Sequence, residues 1–261
     1  MKTSIKIVVL LSILWPGVAL SQDFEVTPSG NTSDLTINIE YLYAKLQIIG
    51  HNDKKVKIEA SNYQGYPAKA KGLTPLSATG PENTGIGLSV SNEGNIVKIS
   101  GTHPKAHEAR YRIYVPQKAR IYVNYNSFQN ADGILFKDLE GEIEVSSKIG
   151  DLVFEDVTGP IVASTLSSNI DVIVTNLDQN SPTSLTSTSG DIDLSIPSST
   201  KGDFEFRTVS GEIYTDLNFE FPNANNMKRV GGGGSADAIL NGGGVKVSVR
   251  CVSGDIYVRK Q

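Results

Sequence analysis

Gly190-Asp-Ile-Asp-Leu194 is the stretch on which the fold turns, because its pattern recurs through the second half of the chain. The same phrase reads Gly141-Glu-Ile-Glu-Val145, Gly150-Asp-Leu-Val-Phe154, Gly159-Pro-Ile-Val-Ala163, Gly202-Asp-Phe-Glu-Phe206, Gly211-Glu-Ile-Tyr-Thr215 and Gly254-Asp-Ile-Tyr-Val258. Each copy is a glycine, usually an acidic residue, then two apolar residues separated by one position. A unit this short cannot bury its apolar face alone, so it must stack on its neighbours.

Spacing turns the repeat into an architecture. Ile143, Leu152, Ile161 and Ile170 lie nine residues apart, as do Thr183 and Ile192, Phe204 and Ile213, and Val247 and Ile256. The nines come in pairs, and from one pair to the next the step is 18, 22 and 21 residues. Upstream, Leu35-Thr-Ile-Asn-Ile-Glu-Tyr41, Val56-Lys-Ile-Glu-Ala60, Ile86-Gly-Leu-Ser-Val90, Tyr111-Arg-Ile-Tyr-Val115 and Ile121-Tyr-Val123 alternate apolar and polar residues with the period of half-buried strands. Glycine, asparagine and proline punctuate these runs, as in Asn92-Glu-Gly-Asn95. The expectation is an all-β protein, a single-chain β-solenoid of roughly 20-residue coils, each lying directly over the last. A β-sandwich of hairpins offers no reason for paired nines. Ile143, Ile161, Thr183, Phe204 and Val247 should form one wall, and Leu152, Ile170, Ile192, Ile213 and Ile256 the other. At ~4.8 Å per coil, ten to twelve coils would make a rod on the order of 50 Å long.

The glycine before each strand marks a corner, replaced by Ser168, Ser181 or Val245 in some coils. The next residue makes a polar column of Asp151, Asn169, Asp191, Glu212 and Asp255. Stacked carboxylates repel unless they are solvated, hydrogen-bonded or neutralised. The reading preferred is that each caps its own corner. A calcium ladder is disfavoured because the Gly-Gly-x-Gly-x-Asp repeat is missing. No metal site and no cofactor is expected: His103-Pro-Lys-Ala-His107-Glu108 reads as a surface turn, and the Gly231 to Gly234 and Gly242 to Gly244 runs lack the Lys-Ser/Thr of a phosphate loop. No catalytic constellation can be assembled.

The first 21 residues set the compartment. Lys2 and Lys6 precede the apolar run Ile7 to Leu14, then come Trp15-Pro16-Gly17 and the small-x-small pattern Ala19-Leu20-Ser21. This reads as a signal peptide over 1–21, too short for the ~20 apolar residues of a membrane span. Residues 22–261 are then one solenoid domain, with a polar loop at 61–85 and a Gly-rich insertion at 218–243. Without Lys2 and Lys6 the 24 basic side chains become 22 against 28 acidic ones, a formal charge of −6. A mildly acidic chain with no Lys/Arg block argues against a nucleic-acid partner. Cys251 is the only cysteine, and alternation in Val245-Lys-Val-Ser-Val-Arg-Cys251 turns it inward as a buried thiol.

Alternation that buries Tyr111, Ile113, Val115, Ile121 and Val123 sends Arg110, Arg112, Tyr114, Arg120 and Tyr122 outward. These five form the candidate binding face, since tyrosine stacks on sugar rings and arginine holds carboxylates or hydroxyls.

Tyr111-Arg-Ile-Tyr-Val-Pro116, Gly133-Ile-Leu-Phe-Lys-Asp-Leu-Glu-Gly-Glu-Ile-Glu-Val145, Gly150-Asp-Leu, Val157-Thr-Gly-Pro160, Ser189-Gly-Asp-Ile192 and Val252-Ser-Gly-Asp-Ile-Tyr-Val258 together resemble the bacterial putative-adhesin family of exported β-solenoids, a domain of unknown function. The resemblance covers roughly residues 35 to 261 and implies a cell-envelope or secreted protein. It supplies no catalytic residue. The function expected is a non-catalytic scaffold in the periplasm, on the surface or secreted, binding a glycan, a matrix protein or another envelope component. The alternative is a polysaccharide-active β-helix lyase or hydrolase, which usually carries longer loops over one face.

Overall fold

The computed structural model describes residues 22–31, 34–73, 75–128, 133–222 and 233–261. The expected signal peptide and residues 223–232 of the Gly-rich insertion lie outside the described residues. In chain order the strands are β1 (Gln22–Val26), β2 (Thr36–Glu40), β3 (Lys45–His51), β4 (Val56–Ser61), β5 (Leu88–Glu93), β6 (Ile96–Gly101), β7 (Arg110–Pro116), β8 (Arg120–Tyr125), β9 (Ile134–Lys137) and β10 (Ile143–Ile149). Then come β11 (Leu152–Val157), β12 (Ile161–Ser167), β13 (Ile170–Val174), β14 (Thr183–Ser189), β15 (Ile192–Ile196), β16 (Gly202–Ser210), β17 (Ile213–Thr215), β18 (Ser235–Leu240), β19 (Lys246–Ser253) and β20 (Ile256–Lys260). Among the described residues there is no α-helix, only short 3-10 turns such as Pro104–Glu108.

The strands form two ten-stranded sheets. The first has the order β1-β4-β7-β3-β9-β11-β13-β15-β20-β17, the second β5-β6-β2-β8-β10-β12-β14-β19-β16-β18. Their inner faces share one core, and the layout is β-solenoid-like: the chain alternates between the sheets, and like strands pair in parallel. The paired nines stack in register as the sequence predicts, with Ile143 opposite Ile161 and Leu152 opposite Ile170. The core positions named above are buried, and Phe136 stacks on Phe154 of the next coil at 4.8 Å. Ile213 is only half-buried because β17 is the last strand of its sheet.

Stacking does not follow chain order at either end. Val247 lies between Thr183 and Phe204, and Ile256 between Ile192 and Ile213, so the pair β19/β20 is inserted between β14/β15 and β16/β17. At the opposite pole β6/β7 lies outside β2/β3. This corrects the expectation that every coil covers its predecessor. It also corrects the coil number: eight strand pairs build the stack among the described residues, and the remaining strands β1, β4, β5 and β18 run antiparallel. They end three of the four sheet edges, where open parallel strands would otherwise invite aggregation, while among the described residues the first sheet ends at its other side in the parallel strand β17. Part of the Gly-rich insertion is therefore a strand, β18, rather than an irregular excursion.

Corners are held by two hydrogen-bonded columns. The amide of Asn169 donates to Asp151 Oδ1 (3.0 Å), that of Asp191 to Asn169 Oδ1 (2.9 Å), that of Asp255 to Asp191 Oδ1 (2.8 Å) and that of Glu212 to Asp255 Oδ1 (2.8 Å). Each side chain thus caps the corner of the adjacent coil, not its own, and this intercoil bond is what the sequence reading lacked. The second column is a row of small polar groups facing inward. Ser187 Oγ donates to Ser168 O (3.1 Å), Cys251 Sγ to Gly190 O (3.0 Å) and Thr208 Oγ1 to Gly254 O (3.1 Å).

Cys251 is a rung of this second column. Burial first, and the neighbouring Asp191 carboxylate second, push its thiol pKa up, which keeps the proton that the bond needs. Cys251→Ser preserves a donor and is expected to shift stability by less than about 1 kcal/mol, whereas Cys251→Ala removes the donor to Gly190 O and the packed sulfur at a cost of about 1–3 kcal/mol. Denaturant titration checks the pair. The native thiol should resist a thiol-specific reagent that labels it at once after unfolding.

Candidate binding surface

The five outward residues singled out above occupy two opposite faces. β7 belongs to the first sheet and β8 to the second, so the reversal Gln117-Lys118-Ala119 carries the chain from one outer face to the other. Arg110, Arg112 and Tyr114 stand together on the first sheet, while Arg120 and Tyr122 stand on the second. Alternation correctly turns all five away from the core, but a single Arg–Tyr face is not what the topology builds.

On the first sheet, β7 is flanked by β3 and the antiparallel β4. This places Lys45 opposite Arg110 and Gln47 opposite Arg112 on one side, with Ser61 and Glu59 as their counterparts on the other. The outer surface here forms an open cleft of about 470 Å³. Arg112 Nε donates to Gln47 Oε1 at 3.0 Å. Tyr114 Oη donates to Glu59 Oε2 at 3.3 Å, and Glu59 also accepts from Lys57 Nζ at 2.8 Å. Lys57 in turn lies 3.4 Å from Asp23. Lys57 therefore pairs with both carboxylates of the cleft. Lys45, Gln47 and Ser61 were missed as site residues. The available signal was that Lys45-Leu-Gln-Ile48 repeats the cation, apolar, polar, apolar order of Arg110-Tyr-Arg-Ile113.

On the second sheet, Tyr122 borders a shallower cleft of about 270 Å³ with Asn38, Glu40, Asn124, Glu144 and Ser146. Its lining is amide, hydroxyl and carboxylate. Arg120 sits two register positions away, opposite Thr36.

Groups that could carry chemistry elsewhere are engaged by the backbone. His51 Nδ1 accepts from the Asp53 amide, and its Nε2 donates to Lys55 O. His103 Nδ1 accepts from the Lys105 amide, capping the 3-10 turn. His107 Nδ1 accepts from the Tyr43 amide, and burial together with the charge of His103 lowers its pKa. The pair at 103 and 107 does build a turn, as expected. Asp171, beside the corner column, is pushed above the usual carboxylate range by burial first, then by Asp193, Asp151 and Asp191. Among the described residues no group of three or more His, Cys, Asp or Glu side chains is placed to hold a metal ion. No helix among them is long and apolar enough to cross a membrane.

Comparison with known proteins places this geometry. No curated protein sequence matches the chain. Among solved structures, a putative cell adhesion protein from Clostridium sporogenes aligns over 93% of this chain and 100% of its own, with 13% identity and a TM-score of 0.45. A putative adhesin from Bacteroides fragilis aligns over 92% of this chain and 98% of its own, with 11% identity and a TM-score of 0.39. A family profile described as Toastrack DUF4097 matches residues 119–259. That span is more than half of the chain, opens one residue ahead of β8 and takes in every rung of both corner columns. By that match over its parallel stack, the chain belongs to the Toastrack DUF4097 family.

Proposed function

We propose that this protein is an exported, non-catalytic envelope or surface scaffold that binds a glycan or another envelope component through the outer faces of its sheets. Residues 22–261 form one solenoid domain in this reading, built on a coil of roughly twenty residues. The register steps from Ile121 to Ile143 and on to Ile161, of 22 and 18 residues, support that unit. The leader-like segment at 1–21 supports export. Membership of a family of unknown function that supplies no catalytic residue fits a scaffold.

One observation carries the reading. All three imidazoles, the corner carboxylates and the lone thiol are tied to backbone groups, whereas Arg110, Arg112, Tyr114, Arg120 and Tyr122 project from two outer faces. The fold spends its reactive side chains on holding itself together and leaves recognition chemistry outside.

Because the two clusters lie on opposite faces, Arg112→Ala and Tyr122→Ala should act independently in glycan-array binding. Each is expected to remove a subset of signals, and the double variant both subsets. Unchanged arrays in the double variant would remove both faces from the proposal. Intact cells should be labelled by a membrane-impermeant reagent if the surface is the final site. Release of reducing ends or unsaturated products from acidic polysaccharides would overturn the non-catalytic assignment.

A further inference from the structure

We infer that the cleft on the first sheet is a subsite for the acidic group, carboxylate or sulfate, of an anionic polysaccharide, held by Lys45, Arg110 and Arg112. This deepens the scaffold reading above and rests on it for the polymeric nature of the ligand.

Three observations converge on an oxyanion. Lys45 and Arg110 are direct cross-strand partners, and Arg112 follows two residues along on the same outer face. Like charges placed directly opposite one another weaken a sheet, so packing alone gives no reason to gather three cations here. Among the described residues, none of the three lies within ion-pair distance of a carboxylate, although Asp23 and Glu59 line the same cleft. Both of those acids are held by Lys57, at 3.4 and 2.8 Å. Elsewhere on the outer faces several cations are held in ion pairs: Glu205 pairs with Arg207, Lys246 and Arg250, and Arg259 lies against Asp193 at 2.8 Å. Here three neighbouring cations share one cleft, and among the described residues none of them is in an ion pair.

Geometry narrows the ligand. Arg112 is oriented by its Nε bond to Gln47 Oε1, which leaves its terminal nitrogens to meet an acceptor, and a guanidinium matches the two oxygens of a carboxylate or sulfate. The cleft is open and shallow, suiting a unit within a chain that continues past both ends rather than an enclosed small molecule. Tyr114, fixed by Glu59, stands at the next outward position of β7 and offers a ring against which a neighbouring sugar can pack.

The test is calorimetric titration of the whole chain with an oligogalacturonate, a sulfated oligosaccharide of equal length and a neutral dextran at two salt concentrations. Binding of at least one anionic oligomer, weakening as salt rises, is expected, with none of the dextran. The stronger anionic arm identifies carboxylate or sulfate as the group recognised. Arg110→Gln with Arg112→Gln should weaken that binding by about tenfold or more, while Arg259→Gln, on the same sheet but far along the stack, leaves it unchanged. The melting temperature of Arg110→Gln should not fall, because removing a repulsive partner of Lys45 costs the fold nothing; this separates lost binding from lost folding. Equal binding of dextran, no binding of either anion, or full binding by the double variant would overturn the subsite. A protein that cleaves the oligogalacturonate yet loses binding in the double variant would sink the scaffold reading and leave the subsite standing.

Discussion

Gly190→Val and Gly211→Val are each expected to destabilise the protein by about 3 kcal/mol or more. A Cβ at position 190 would sit 2.2 Å from Ser168 O and 2.5 Å from Ser168 C. At position 211 it would sit 2.0 Å from Gly254 O and 2.7 Å from Gly254 C. These obstacles are backbone, not the flexible end of a side chain. The struck carbonyls are also acceptors, of Ser187 Oγ and Thr208 Oγ1, so yielding would break the inner column as well. Both glycines hold positive φ, 143° and 158°, which adds strain for any L side chain. Gly65→Ala is the matched control: φ is also positive, at 67°, but nothing lies within 4 Å, so a cost of only about 1 kcal/mol is expected. Denaturant midpoints read the difference directly. Equal midpoints for all three variants would show that the corners tolerate a side chain and that the column of glycines has another cause.

Ile256→Asp should cost about 4 kcal/mol or more, and its damage should be regional. Ile256 is fully buried and is clamped between Ile192 and Ile213. An aspartate there has no partner and no water. Because β19/β20 joins β14/β15 to β16/β17, ejecting it also unseats the pair beyond it. Hydrogen exchange should therefore rise in β16, β17, β19 and β20 together, while β8 to β13 keep their protection, as expected when neighbours are coupled one to the next. Ile256→Val, removing one methylene, should cost about 0.5–1.5 kcal/mol without the regional opening. Exchange confined to β20 in Ile256→Asp would contradict the inserted order.

Much of this was legible from residues. The phrase Gly-Asp-Ile with its nines led to strands, corners, wall membership and in-register stacking, because side-chain period and corner chemistry are local. The inward direction of Cys251 followed from alternation. The inner polar column is readable too: a Ser, Thr or Cys stands three residues before each corner residue in Ser147-Lys-Ile-Gly150, Thr165-Leu-Ser-Ser168, Ser187-Thr-Ser-Gly190, Thr208-Val-Ser-Gly211 and Cys251-Val-Ser-Gly254. Those positions face the core, where alternation alone demands an apolar side chain.

The candidate surface was legible only in part. Outward direction is a matter of parity, so Arg110, Arg112 and Tyr114 could be named without coordinates. Their companions could not. Lys45 is 65 residues from Arg110 and becomes its partner only because β6/β7 passes outside β2/β3. Likewise Arg120 and Tyr122 are near them in sequence, yet a three-residue reversal places them on the other face.

By itself the sequence determined that this chain is all-β, which residues turn inward, and where corners need glycine, since each of these depends on contacts within a strand or between equivalent positions. Only the tertiary structure decided the order of the stack. Parallel rungs with the same register are interchangeable: Thr183 meets Val247 as readily as it would meet Phe204. The order is set by the poles, where β6/β7 carries antiparallel partners on both sheets and β16 carries β18, with Phe204 and Phe206 packed edge-on to Phe219 at 5.1 and 5.6 Å. Rungs that bear a cap must lie outermost, and rungs without one are drawn inside, so β19/β20 sits in the interior of the stack and Lys45 comes to stand beside Arg110.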